Sequence, residues 1–196
     1  AASAFFQSGF KEAAILTVDG RGEKSSGLLG YAKNNKLNVI SEIQFPDSLG
    51  LFYASITQFL GFQAESDEWK VMALGAYSKK KNNIYISKFE KLYFLDRKTG
   101  EFKLNMEYFT FPYPETNNGL FFSDKLKSLI GKPRLKNSKI FKYHLDISFA
   151  LQYHFEKIML FWLNTLYRKF PSKNLVLAGG VAQSSVVVGK ITSKTK

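Results

Sequence analysis

Residues 13–20 read A-A-I-L-T-V-D-G, and this stretch decides the fold that the sequence predicts. Its first part, Ala13–Val18, is a continuous apolar run, which is typical of a strand buried on both faces of a sheet. Asp19 and Gly20 close the run and begin a turn that also contains Gly22. Backbone amides in such a turn can approach a phosphate closely, and the carboxylate can hold a metal ion. The alternative interpretation is an ordinary hairpin turn without a ligand.

The rest of the chain predicts strands and helices in an α/β order. The predicted elements are a β-meander of Ala13–Val18, Gly27–Ala32 and Leu37–Ile43, a helix from Pro46 to Gly61, a helix that includes Glu68–Leu74, a hairpin of Tyr93–Leu95 and Phe102–Leu104, a long helix over His144–Phe170 and a strand over Asn174–Ala178. This order indicates an α/β fold with a sizeable core.

Positive charge is concentrated in the middle of the chain. The 196 residues carry a formal net charge of +12, and residues 79–139 contain 14 basic against 6 acidic residues. The apolar residues of this region come in short patches, so we expect a β-rich insertion at about 79–140 rather than an independent domain. The net charge favours phosphate-bearing or other anionic partners.

A second candidate turn follows the last predicted strand. Leu177–Ala182 reads L-A-G-G-V-A, with Gly179 and Gly180 at the exit of a buried strand. Two glycines at this place let a nucleotide lie against the backbone and against the start of the next helix. A close-packed strand-to-helix turn without a ligand explains the same residues equally well.

Composition excludes several classes of protein. The chain has no Cys, which excludes a disulfide scaffold, a thiolate metal site and a cysteine nucleophile. No apolar run approaches the roughly 20 residues that span a bilayer, so no membrane partner is expected. The lack of Cys and of a signal-peptide pattern favours the cytoplasm. Because the sequence starts at Ala1 without Met and ends soon after a strand, we expect it to be incomplete at both ends.

Several segments together resemble the O-carbamoyltransferase family, which contains nodulation-factor and antibiotic-tailoring carbamoyltransferases. The most specific segments are F-P-D-S-L-G-L-F-Y-A-S-I-T-Q-F-L-G-F, residues 45–62, and D-E-W-K-V-M, residues 67–72. The remaining segments, which extend the resemblance over nearly the whole chain, are Ala1–Phe5, Val18–Gly20, Phe121–Arg134, Asp146-Ile147 with Gln152 and Glu156, and Leu177–Ala182.

The resemblance implies part of an N-terminal actin-like ATPase domain, one lobe with a mixed sheet and flanking helices. In that fold the turn after Val18 and the turn at Gly179–Gly180 contact the phosphates and the adenosine of one nucleotide. The residues implied to bind the nucleotide are Gly20, Gly22, Gly179, Gly180, Val181 and Ser184. Ser184 stands where the family has Asn, and it keeps a hydroxyl but lacks the two-ended amide.

The resemblance also implies a reaction. Such enzymes use ATP and carbamoyl phosphate to make a carbamoyl-adenylate, and they pass the carbamoyl group to a hydroxyl of a sugar or other small molecule. An iron-type divalent metal is held by a His pair and two Asp residues, of which the first matches Asp19. The His pair then belongs before Ala1, and the second Asp and the adenylate-forming domain belong beyond Lys196. The alternative is a catalytically inactive remnant or an anion-binding module, with no nucleic-acid partner in either case.

Other polar residues have competing interpretations. Lys70 lies in the segment that the resemblance places near the active cleft, where it is a candidate catalytic cation that meets a phosphate; a surface ion pair with Asp67 or Glu68 is the alternative. His144 and His154 are ten residues apart on one predicted helix, so they point to nearly opposite faces and are expected to be structural. Gln152 and Glu156 are expected to support the cleft rather than to contact substrate.

Overall fold

The computed structural model describes the backbone of residues 1–194 and the side chains of residues 1–115 and 117–191. The chain forms two compact units. The first unit contains Ala1–Gly50, Leu95–Phe102 and the residues from Glu156 onward, and the second contains Leu51–Phe94 and Lys103–Phe155. Among the described residues, no helix is both long enough and apolar enough to span a membrane.

The described residues form a mixed α/β structure, as the sequence predicts. The strands are β1 (Glu12–Val18), β2 (Ser25–Lys33), β3 (Lys36–Gln44), β4 (Tyr93–Leu95), β5 (Phe102–Leu104) and β6 (Leu175–Ala178). The α-helices are α1 (Ala2–Gln7), α2 (Leu49–Phe59), α3 (Glu68–Gly75), α4 (Tyr85–Phe89), α5 (Asp124–Ile130), α6 (Lys142–Lys169) and α7 (Ser185–Lys194). Short 3-10 helices cover Met106–Tyr108, Pro114–Asn117 and Gly180–Gln183.

A four-stranded mixed sheet in the order β3-β2-β1-β6 is the centre of the first unit. β1 pairs antiparallel with β2, from Glu12↔Lys33 to Val18↔Gly27, and parallel with β6, from Ala14↔Leu175 to Thr17↔Ala178. Four consecutive residues of β1, 13–16, are buried, and because alternate side chains point to opposite faces, both faces of this strand are covered, as predicted.

The hairpin between β2 and β3 turns at two asparagines. Asn34 and Asn35 have φ angles of 48° and 63°, a conformation that Asn tolerates better than most residues. Two positive φ angles in a row are characteristic of the tight turn whose twist matches that of the strands. The predicted β-meander requires a turn between Gly27–Ala32 and Leu37–Ile43, and the structure has it here.

Aromatic side chains fill much of the core of the second unit. The ring of Phe52 on α2 packs edge-on against those of Phe89, Tyr93 and Phe109, with centroid separations of 6.2, 6.3 and 5.8 Å. Edge-to-face contacts of this kind add to the free energy gained by burial. Aromatic residues make up 16% of the chain, and those named here form part of the core of the second unit.

Arg134 anchors the C-terminal end of α2 within the second unit. It is 8% exposed, and its guanidinium donates hydrogen bonds to the carbonyl oxygens of Leu60 (2.5 Å) and Ser138 (2.5 Å). Burial lowers the pKa of this guanidinium. A third, longer bond reaches the carbonyl of Gly61 at 3.4 Å. A cation beside the last carbonyls of a helix also complements the helix dipole.

Residues 79–140 differ in detail from the expected β-rich insertion. They contain the predicted hairpin of β4 and β5, but also the helices α4 and α5 and two 3-10 helices. A side chain caps the start of α5: the hydroxyl of Ser123, the residue before the helix, accepts a hydrogen bond from the N–H of Leu126 at 3.4 Å. Helices of five to seven residues contain too few turns for a helical repeat of apolar residues to be recognised, so the sequence did not predict them.

Candidate functional site

The candidate site lies within the first unit, at the C-terminal ends of β1 and β6. These two strands are parallel neighbours, and their last paired residues are Thr17 and Ala178. The turns with Asp19 and Gly20 and with Gly179 and Gly180 therefore leave the sheet side by side at one edge. In open α/β sheets this is the edge where ligands bind.

Hydrogen bonds hold Asp19 at the start of the first turn. Its N–H donates to the carbonyl of Ser26 at 2.8 Å, and its carboxylate oxygen Oδ1 accepts from the N–H of Gly20 at 2.8 Å. The residue is exposed, so this carboxylate is accessible from solvent. These hydrogen bonds fix the carboxylate of Asp19 at the sheet edge where β1 ends.

The two glycines of the first turn have different surroundings. A methyl group added to Gly20 would meet no atom within 4 Å, whereas one added to Gly22 would lie 2.3 Å from the carbonyl oxygen of Ser25. Gly22 is therefore required by the closure of the turn itself. Gly20 leaves open space beside the carboxylate of Asp19, and its contact with a nucleotide stays a prediction.

The two glycines of the second turn also differ in their surroundings. Gly179 has φ 93° and ψ 156°, and a methyl group on it would lie 2.1 Å from the carbonyl oxygen of Val18. The close approach of β6 to β1 thus gives this glycine a structural reason, and its contact with a nucleotide stays a prediction. A methyl group on Gly180 would have one neighbour within 4 Å, Oδ1 of Asp19 at 3.6 Å. The open glycines of the two turns therefore flank one carboxylate.

Val181 and Ser184 continue the second turn. The N–H of Ser184 donates to the carbonyl of Val181 at 3.4 Å, and the carbonyl of Ser184 accepts from the N–H of Val188 at 3.0 Å. Ser184 thereby precedes the first residue of α7 and caps its backbone ladder. The predicted order of strand, glycine turn and helix is confirmed, with one 3-10 turn at Gly180–Gln183 in between.

Ser48 and Gly50 belong to this site, although the sequence analysis gave neither a role there. The hydroxyl of Ser48 donates to the carbonyl oxygen of Gly20 at 2.6 Å and lies 3.4 Å from that of Asp19. A methyl group on Gly50 would lie 2.6 Å from Cα of Gly20 and 2.9 Å from Cγ2 of Val181. A glycine in the first turn of a helix was the available signal, because it often marks a close backbone approach.

Lys70, the other predicted catalytic residue, lies on α3 in the second unit. Its ammonium group forms an ion pair with Asp67 at 2.8 Å and lies 5.4 Å from the centre of the Trp69 ring. The hydrogen bond from Lys70 lowers the pKa of Asp67. The structure thus contains the ion pair of the alternative interpretation, and the catalytic role of Lys70 stays a prediction.

The two histidines are buried in the second unit and bonded to protein groups. Nδ1 of His154 lies 2.7 Å from the hydroxyl of Tyr93, and its Nε2 lies 2.7 Å from the carbonyl oxygen of Ile86. Because a carbonyl only accepts, Nε2 carries the proton and Nδ1 accepts from Tyr93. His144 accepts from the N–H of Phe141 through Nδ1 at 2.9 Å. The contacts of both histidines agree with the expected structural roles.

The residues expected to support the cleft also have protein partners. Gln152 accepts a hydrogen bond from the hydroxyl of Tyr53 at 3.1 Å. Glu156 forms an ion pair with Lys190 of α7 at 2.8 Å. These contacts tie α6 to its neighbours within each unit.

The described residues fit a nucleotide better than they fit a complete metal site. The backbone at Gly20 and Gly180 is open, because a methyl group would meet no atom at Gly20 and only Oδ1 of Asp19, at 3.6 Å, at Gly180, so it leaves room for a ligand. In contrast, no three His, Asp or Glu side chains among the described residues come together in a way that could hold a metal ion. Asp19 alone is one oxygen ligand, whereas Mg²⁺ and transition metals take four to six.

Comparisons with known proteins agree with the resemblance seen in the sequence. A family model described as "Carbamoyltransferase N-terminus" matches residues 1–196. An uncharacterised protein of Synechocystis sp. is 39% identical over 198 residues, covering 100% of this chain and 31% of that protein. An uncharacterised protein of Methanocaldococcus jannaschii is 32% identical over 97% of this chain and 34% of its own length. Nodulation protein NolNO of Sinorhizobium fredii is 31% identical over 96% of this chain and 25% of its own length. The chain thus spans a third or less of most of these relatives.

Proposed function

This chain belongs to the carbamoyltransferase N-terminus family, and from that membership we propose that it is the nucleotide-binding part of an ATP-dependent O-carbamoyltransferase. The reaction moves a carbamoyl group from carbamoyl phosphate, through a carbamoyl-adenylate, to a hydroxyl of a sugar or other small molecule. Within the described residues, the site at the ends of β1 and β6 performs the binding.

One observation carries the proposal: the open backbone of Gly20 and of Gly180 flanks the carboxylate of Asp19. The phosphates of the nucleotide lie along the Gly20 turn, where the lack of a side chain lets them approach the backbone closely. The adenosine lies against Gly180, where the lack of a side chain leaves room for it. The net charge of +12 favours the approach of both anionic substrates, ATP and carbamoyl phosphate.

Asp19 orients the phosphate end of the nucleotide. Its carboxylate fixes the Gly20 N–H through a 2.8 Å bond and supplies one ligand to the divalent metal that accompanies a polyphosphate. A metal ion bound there neutralises phosphate charge. Because no three His, Asp or Glu side chains among the described residues come together, the other ligands would be phosphate oxygens, water or residues from other parts of the protein.

Nucleotide binding and carbamoyl transfer test the proposal in the complete protein encoded by its gene. Asp19→Asn keeps an oxygen that accepts from the N–H of Gly20, so the turn stays folded while the anionic metal ligand is lost. We expect transfer from radiolabelled carbamoyl phosphate to a hydroxyl acceptor to be abolished and the unfolding temperature to stay unchanged. Transfer by the variant at the wild-type rate would contradict the role of Asp19.

The alternative function, a remnant or anion-binding module, gives a different result. Such a protein binds pyrophosphate and ATP equally and does not bind adenosine, because only charge is recognised. The proposed enzyme binds ATP more tightly than pyrophosphate, since the turn at Gly180 contacts the nucleoside. Isothermal titration calorimetry with the two ligands separates the two functions.

A further inference from the structure

We propose that Ser48 and Gly50 are positioning residues that fix both turns of the nucleotide site through the first turn of α2. The inference rests on the proposed function, since it concerns how the same site is shaped. Ser48, Gly50 and both turns belong to the first unit.

Ser48 determines which way the backbone of the first turn faces. Its side chain is fully buried, and its hydroxyl donates to the carbonyl oxygen of Gly20 at 2.6 Å. In a trans peptide the N–H points opposite to the carbonyl, so this bond fixes the orientation of the whole peptide group that follows Gly20. A phosphate is repelled by carbonyl oxygens and attracted by N–H groups. By holding the carbonyl on the inner side, Ser48 presents the turn in the orientation that a phosphate needs.

Gly50 sets the distance between α2 and both turns. A methyl group at this residue would lie 2.6 Å from Cα and 2.8 Å from N of Gly20, and 2.9 Å from Cγ2 of Val181. All three separations are shorter than real contacts of a Cβ atom. Glycine is thus required for one helix turn to pack on the phosphate turn and the adenosine turn together.

The two residues therefore have separable effects on ligand binding. Ser48 contacts the turn that is assigned to the phosphates, through the Gly20 and Asp19 carbonyls. Gly50 contacts Gly20 and also Val181 of the turn that is assigned to adenosine. Loss of the Ser48 hydroxyl should change the affinity for phosphates alone, whereas a side chain at residue 50 should change the affinity for the whole nucleotide.

The test compares ATP with adenosine in calorimetric titrations of the complete protein. For Ser48→Ala, the affinity for ATP should fall about two- to twelve-fold, the range for one hydrogen bond, and the affinity for adenosine should stay within twofold. For Gly50→Ala, both affinities should fall. Ser55→Ala is the matched control, since it removes another buried hydroxyl of α2 that bonds a carbonyl, that of Leu51 at 2.7 Å, and it should change neither affinity.

The outcomes separate the inference from the function on which it rests. If the wild-type protein binds neither ATP nor adenosine, the proposed function fails and the inference falls with it. If the wild-type protein binds both, the inference alone is overturned when Ser48→Ala binds ATP as tightly as wild type or loses ATP and adenosine equally. If Ser48→Ala does not fold, Ser48→Thr, which keeps the donor, should retain the wild-type ratio of the two affinities; a changed ratio contradicts the inference.

Discussion

Gly179 and Gly180 are neighbours in sequence, but a side chain added to each would meet different atoms. At Gly179 it would collide with the Val18 carbonyl of the adjacent strand, and the φ of 93° is one that other residues rarely adopt. At Gly180 it would point into the space beside the Asp19 carboxylate. Gly179 thus has a packing role in the sheet, whereas the role that we propose for Gly180 is to leave room for a nucleotide.

This difference predicts opposite behaviour for two substitutions. Gly179→Ala should lower the free energy of unfolding by about 1–3 kcal/mol from the backbone conformation alone, and by more if β6 must move. Gly180→Val should leave the unfolding temperature nearly unchanged and remove ATP binding. Thermal denaturation and ATP titration of both variants check the prediction. Unfolding of Gly180→Val at the temperature of Gly179→Ala would mean that both glycines serve packing.

At the scale of single elements, the N-terminus of α6 contains a titratable cap. His144 is the third residue of α6, and its Nδ1 accepts from the N–H of Phe141, the residue before the helix. This is the reciprocal bond of a capping box, a position that Glu or Gln usually occupies. The ring is 1% exposed and lies 3.9 Å from that of Tyr143. Burial, and secondarily the charge of Arg134, lowers the pKa of His144.

A lowered histidine pKa makes the stability of the protein depend on pH. Below the ordinary pKa of about 6.5, the unfolded chain binds a proton that the folded chain resists, so the free energy of unfolding decreases as the pH falls through this value. The decrease ends below the pKa of the folded state. His144→Gln keeps the capping bond without titrating, so urea denaturation should show a smaller loss between pH 7.5 and pH 5.5 than wild type shows. Equal losses would contradict the prediction.

The sequence predicted those elements whose reason is local. β1 and β6 are apolar runs ended by glycines, and the hairpin of β4 and β5 was predicted with its observed bounds. The short helices α1 and α4 were not predicted, because six or five residues contain less than two turns of periodicity. No role at the candidate site was predicted for Ser48, since its bond to Gly20 joins residues 28 positions apart and no local pattern records it.

At the scale of the whole molecule, the first unit is assembled from three separate segments of chain. β6 comes from the last of them and covers one edge of β1 through the pairs from Ala14↔Leu175 to Thr17↔Ala178. Without β6, the edge of a strand whose residues Ile15 and Leu16 are fully buried would be open to pairing with other molecules.

This arrangement predicts the effect of truncation. A chain that ends at Phe170 lacks β6 and should aggregate and lose cooperative unfolding, because β1 then becomes an apolar edge strand. A chain that ends at Ser184 keeps β6 and its turn, and it should stay monomeric at a lower unfolding temperature because Val187 and α7 are lost. Light scattering and circular dichroism distinguish the two. A monomeric, cooperatively folded chain ending at Phe170 would contradict the role of β6.

The parallel pairing of β1 with β6 also determines when the sheet can be completed during synthesis of the protein. Ala14 leaves the ribosome about 160 residues before its partner Leu175, and closing so large a loop is slow compared with local folding. At a synthesis rate of 5–20 residues per second, about 10–30 s pass between the synthesis of β1 and that of β6, its parallel neighbour. The β1–β2–β3 meander can form early, but the sheet edge where β1 and β6 end side by side cannot form until the second glycine turn has been translated. During this interval the uncovered strand is a natural target for chaperones that bind extended apolar segments.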